Sequence, residues 1–127
     1  MTLQELYQSV EGDYEQALRV LRIEKLIDKH ICKFPSNLIF EDLNEAAKTM
    51  DGVKLFEAAH AIKGVCANLG LTKISSLASK VCEEYRSGNE RQNSDEEIKD
   101  IIKEMNRLHD LTCVQIETYA SNNNGTN

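Results

Sequence analysis

Apolar residues recur at intervals of three and four along most of the chain, and the breaks between these stripes divide it into helices. Thr2 and Glu5 form a capping box that opens a short helix at Leu3, running toward Gly12. Asp13 caps the next stretch, where Ala17, Leu18 and Leu21 precede a clearer stripe of Ile23, Leu26, Ile27, His30, Ile31 and Phe34. This stretch reads as two helices or as one broken helix. Pro35 stops it, Ser36 or Asn37 caps a further helix, and Ile39, Leu43, Ala46, Ala47 and Met50 supply that helix's apolar face before a turn at Asp51 and Gly52.

Leu55, Ala59, Ile62, Cys66 and Leu69 set the period of the helix that follows, with Gly64 inside it and Gly70 placed to end it. Thr72 is the expected cap of a helix carrying Leu71, Ile74, Ala78, Val81 and Tyr85. A polar linker, Ser87 to Asn93, leads to a second capping box, Ser94 with Glu97, and to a last helix along Ile98, Ile101, Ile102, Met105, Leu108, Thr112, Ile116 and Tyr119. The pattern predicts an all-α protein, an antiparallel four-helix bundle with short additional N-terminal helices. It forms a single domain over residues 1–120, followed by a polar, disordered tail over 121–127.

Composition removes several classes of function. Six glycines and one proline in 127 residues are too few for the turns of an all-β chain. Fifteen Lys and Arg against 21 Asp and Glu leave a net charge of −6, the wrong sign for neutralising nucleic acid or an anionic membrane surface. No apolar run approaches the roughly 18 residues of a transmembrane helix, and Met1 to Tyr7 lacks the basic start and apolar run of an export signal, so a cytoplasmic location is expected. Cys32, Cys66, Cys82 and Cys113 are far apart, without a C-x-x-C pair, and read as buried, reduced thiols. Neither a phosphate-binding glycine loop nor H-E-x-x-H is present, and no metal site or cofactor of the chain's own is expected.

The three histidines differ in setting. His30 lies on an apolar stripe and is expected to be partly buried and hydrogen-bonded, and His109 beside the last stripe reads as structural. A metal- or haem-binding bundle using His30, His109 and the cysteines is the weakest of the readings. His60 points elsewhere: at about 100° per residue it falls about 150° from the stripe centred on Ile62 and Cys66, which puts the ring in water. Val53, Phe56 and Ala67 make its face partly apolar, Lys63 stands at i+3, and Gly64 stands at i+4. A mid-helix glycine costs about 1 kcal/mol relative to alanine, so Gly64 points to a need for clearance. An exposed histidine titrates near about 6.5 and is largely neutral and nucleophilic in cytoplasm. The residues leave two readings open: an acceptor for an anion or phosphoryl group, or an incidental surface histidine beside a lysine.

The run from His60 through Ala61, Ile62, Lys63, Gly64, Val65, Cys66, Ala67 and Asn68 to Leu69 and Gly70 resembles the H-x-x-K-G and Leu-Gly signature of histidine-containing phosphotransfer (HPt) domains. The likeness covers roughly Tyr14 to Ile116, and Gly12-Asp13-Tyr14 is similar to the front ends of stand-alone bacterial members. It implies that His60 carries a phosphoryl group between aspartates of receiver domains, as a phosphocarrier and not an ATP-dependent kinase. It further implies that Lys63 supports the phosphoryl oxygens, that Gly64 admits the receiver, and that Leu69 and Gly70 belong to the fold. The Mg²⁺ of the transfer is the receiver's. Val53, Phe56, Glu57 and Ala67 fall where the partner would dock, and Glu57 at i−3 reads as a surface glutamate or as the group orienting the other ring nitrogen. The implied partners are receiver domains of response regulators or hybrid histidine kinases, with the chain itself a monomer. The alternative is a helical interaction module that binds through the same face without being phosphorylated.

Overall fold

The computed structural model describes the backbone of residues 1–124 and the side chains of residues 1–121. Seven α-helices follow one another: α1 (Leu3–Ser9), α2 (Tyr14–Leu21), α3 (Glu24–Lys33), α4 (Ile39–Thr49), α5 (Gly52–Asn68), α6 (Thr72–Tyr85) and α7 (Asp95–Asn124), with a 3₁₀ turn (Phe34–Ser36) between α3 and α4. Helix is the only extended regular structure among the described residues, and the front of the chain holds three of the seven helices.

Both capping boxes close. Thr2 Oγ1 accepts from the Glu5 N–H at 3.1 Å while Glu5 Oε1 accepts from the Thr2 N–H at 2.9 Å. Ser94 and Glu97 repeat the pattern at 3.1 and 3.0 Å. Asp51 caps α5 by accepting from the Lys54 N–H at 3.2 Å, which makes Gly52 the first helical residue and not part of a turn. The expected cap at Thr72 is displaced. Leu71 occupies that position, makes no side-chain cap and is buried, because the reversal after α5 pulls it inward. There the Leu71 N–H donates to the Cys66 carbonyl at 2.8 Å and the Gly70 N–H to that of Ala67 at 3.2 Å, the paired bonds of a Schellman motif.

Arg22, at φ +76°, divides the second stretch into α2 and α3. The α3 stripe is only half used: Ile27, Ile31 and Phe34 are buried, whereas Ile23, Leu26 and His30 are exposed. Ile23 lies outside the helix as its cap residue, and α3 rests on α2, α7 and the 3₁₀ turn along one narrow face. His30 is therefore exposed, and its ring makes no hydrogen bond among the described residues, contrary to the sequence expectation.

Helix α4 packs on α5, α5 on α6, α6 on α7, and α7 returns to α4. Leu43, Leu55, Ile62, Val81, Ile98 and Met105 are wholly buried between them. Each such side chain contributes about 1.5–3 kcal/mol of hydrophobic stabilisation. The N-terminal helices are tied to the α5–α6 reversal. The Tyr7 hydroxyl donates to the Leu69 carbonyl at 2.6 Å, and the Asp13 N–H to that of Gly70 at 2.7 Å. Gly70 sits at φ +72°, and a Cβ there would stand 2.2 Å from the Asp13 carbonyl oxygen, so both its conformation and its surroundings require glycine.

The connection after α6 is held by a buried acid. Glu84 Oε1 accepts from Arg91 Nε at 2.7 Å and from the Gln92 and Asn93 N–H groups at 2.9 Å each, and Oε2 accepts from Asn93 Nδ2 at 2.9 Å. Burial alone would raise this carboxyl's pKa, but these donors overcome it and hold the value at about 2. Helix α7 continues to Asn124, so residues 121–124 of the expected tail are helical, and 125–127 lie outside the described residues. All four cysteines are free: Cys66 and Cys82 are buried and Cys113 half-buried, but Cys32 is exposed because it falls on the unused side of α3.

Candidate functional site

Two opposite faces of α5 carry different chemistry. Leu55, Ala59, Ile62 and Cys66 are fully buried. On the other side Val53, Glu57, His60 and Gly64 are exposed, with Phe56, Lys63 and Ala67 half-buried beside them. The helical period thus brings the sequence-predicted residues onto one outward face. A groove of about 380 Å³ between α4 and α5 flanks that face, lined in part by Asp42, Glu45, Lys54, Glu57 and Ala61.

Side chains on an α-helix lean toward its N-terminus, so each covers the residue one turn before it. Any side chain at position 64 would lean over His60. A Cβ built on Gly64 meets nothing within 4 Å, so no neighbouring helix demands a glycine there. His60 leans in turn over Phe56. The two rings stack with centroids 5.8 Å apart and planes 17° apart.

The flank toward α6 is cationic. The Arg86 guanidinium carbon lies 5.4 Å from the centre of the Phe56 ring, and its side chain pairs with Glu83 at 3.0 Å. Lys63 stands near the same carboxyl: the Arg86 hydrogen bond holds Glu83 below its usual pKa, partly opposed by burial, and the Lys63 charge adds to the lowering. The Lys63 backbone carbonyl accepts from Ser75 Oγ at 3.3 Å, while its ammonium forms no ion pair among the described residues. No hydrogen bond holds either ring nitrogen of His60 among the described residues, and Glu57 makes none to it. Arg86 is not legible as a neighbour from spacing, since it stands 26 residues downstream of His60, just past the end of α6.

The other histidines are placed differently. His109 is stacked on Phe40 at 4.0 Å and lies edge-on to Phe34 at 5.5 Å, so burial lowers its pKa, with Asp110 opposing. Cys113 Sγ lies 3.5 Å from His109 Nε2, but burial pushes the thiol up to about 11, which leaves a neutral pair and no activated nucleophile. His30 is on the exposed side of α3, and no group of three or more His, Cys, Asp or Glu among the described residues is arranged to hold a metal ion. No described helix is long and apolar enough to cross a membrane.

Comparison with protein families finds a match to the Hpt domain over residues 35–111, more than half of the chain. The matched region begins within the 3₁₀ turn and contains α4, α5, α6 and the first part of α7, with His60, Lys63, Gly64 and Arg86 inside it. Searches of curated proteins and of solved structures return no match.

Proposed function

The chain belongs to the Hpt domain family, the phosphotransfer proteins of two-component signalling, and from that premise we propose that His60 accepts a phosphoryl group from the aspartyl phosphate of a receiver domain and passes it to another receiver. The reading rests chiefly on the exposure of His60 on α5, with both ring nitrogens unbonded among the described residues and open space above Gly64. A ring-nitrogen lone pair attacks phosphorus in line with the departing aspartyl oxygen. The P–O bond breaks, the carboxylate leaves with its electron pair, and a P–N bond forms. The proton on the other ring nitrogen is released to solvent when the phosphorylated ring becomes neutral.

Lys63 is the proposed electrostatic support for the phosphoryl oxygens, and Gly64 the clearance through which the receiver's loops approach. Val53, Phe56, Glu57 and Ala67 form the proposed docking surface. The receiver brings the Mg²⁺ that offsets charge on the transferring oxygens, and the chain supplies no cofactor or ATP-dependent kinase activity of its own. In the same reading, α4 to α7 are the antiparallel four-helix bundle of the domain, residues 1–120 form one unit, and the protein works as a cytoplasmic monomer. The test is incubation with a phosphorylated receiver and Mg²⁺. Label should appear on the wild-type chain and be absent from His60→Gln. A complex that forms without labelling the wild type would replace this function with that of a non-phosphorylated interaction module.

A further inference from the structure

We propose that Phe56 is a positioning residue for His60, fixing the plane of the imidazole by stacking, in the role that a hydrogen bond to the second ring nitrogen would otherwise fill. The proposal rests on the reading of His60 as the acceptor and assigns Phe56 more than a place on the docking surface.

Three observations carry it. First, the rings of Phe56 and His60 are one helical turn apart and nearly parallel, with centroids at 5.8 Å and an interplanar angle of 17°. This lies within the range of favourable offset stacking. Second, Phe56 is itself held. It is half-buried, the Arg86 guanidinium lies against its ring at 5.4 Å, and its backbone carbonyl is approached by Cys82 Sγ at 4.0 Å. Third, an exposed histidine with no ring hydrogen bond would otherwise rotate freely about two torsions, and no described polar side chain restrains it. Stacking on Phe56 fixes the plane of the ring, and with it the plane in which the nitrogen lone pair meets phosphorus. In-line displacement depends steeply on that alignment.

The experiment compares Phe56→Leu and Phe56→Tyr with the wild type, using two phosphodonors. One is a phosphorylated receiver, which must dock. The other is phosphoramidate, which needs no docking surface: its P–N bond breaks, ammonia leaves after protonation by solvent, and the imidazole P–N bond forms. Phe56→Leu should slow labelling by phosphoramidate, a donor that never touches the docking surface, about tenfold, and Phe56→Tyr should restore the rate. Weakened receiver affinity with an unchanged phosphoramidate rate would overturn the proposal and leave Phe56 as a docking residue. Side-chain couplings and ring-current shifts of His60, read by NMR, should show one ring orientation in the wild type and averaging in Phe56→Leu. Averaging already present in the wild type would also overturn it. If the wild type takes label from neither donor, the acceptor reading fails, and the NMR comparison still decides whether Phe56 holds the ring.

Discussion

Gly64 and Gly70 stand six positions apart in one short segment, yet they answer opposite demands. At Gly64 an added Cβ meets nothing within 4 Å, while at Gly70 it would lie 2.2 Å from the Asp13 carbonyl oxygen, on a backbone at φ +72°. The second glycine is explained entirely by the molecule's interior, because the N-terminal helices close against it. The first has no internal explanation, and its vacancy lies beside the exposed His60. A residue that the fold does not require is where function is to be sought, and the outward face of α5 meets that criterion while the α5–α6 reversal does not.

The contrast would break most sharply at His60. We expect His60→Gln to abolish phosphoryl acceptance while leaving stability within about 0.5 kcal/mol, as for a surface substitution. Thermal unfolding and labelling from a phosphorylated receiver measure the two effects together. The wild-type label should be lost in acid and survive alkali, since protonation of the ring improves it as a leaving group. At the other pole, Gly70→Ala should cost about 3 kcal/mol, from backbone strain and the clash with Asp13, as a lowered urea midpoint. A Gly70→Ala protein of wild-type stability would remove the distinction between the two glycines.

Glu84→Gln extends the comparison to an acid that faces inward, and should cost about 2 kcal/mol near neutral pH by weakening the hold on Arg91 and Asn93. The folded carboxyl's pKa, about 2, lies below its unfolded value of 4.5. Its contribution is therefore present above about 4.5 and is lost as pH falls toward 2. Urea unfolding across that window should show a steeper acid loss for the wild type than for the variant. Gly64→Gln should slow transfer from a receiver about tenfold while raising stability by up to about 1 kcal/mol, because glutamine is the better helix former. Transfer at the wild-type rate would show that position 64 gives no clearance. The smallest effect is expected from Lys63→Ala: receiver affinity, measured by titration, should persist while phosphohistidine lifetime or transfer rate changes a few-fold.

What the sequence made legible was local. The capping boxes of Thr2 with Glu5 and Ser94 with Glu97, and the division of α5 into two faces, follow from spacing within one or two turns, so they hold in the structure. The rest depends on partners distant in the chain. Leu71 replaces Thr72 at the start of α6 because it is drawn inward by the reversal, and His30 is exposed because α3 has a narrower neighbour than its stripe. Glu84 reads in sequence as one more acid on a helix and becomes a fixed anchor only when residues 91–93 fold back onto it. At the candidate site the face of His60 was legible from the helical period, whereas Arg86, delivered by α6, was not.

Helix α7 spans 30 residues, about 45 Å at the ordinary rise per residue, and it touches α1 and α3 as well as α4 and α6. The front helices and the two helices that flank α5 therefore share one wall, and neither group keeps its packing if that wall detaches. Amide hydrogens at the centre of α7 should exchange only through global opening, with protection equal to that in the middle of α5, so that the molecule opens as one cooperative unit with no separable N-terminal foldon.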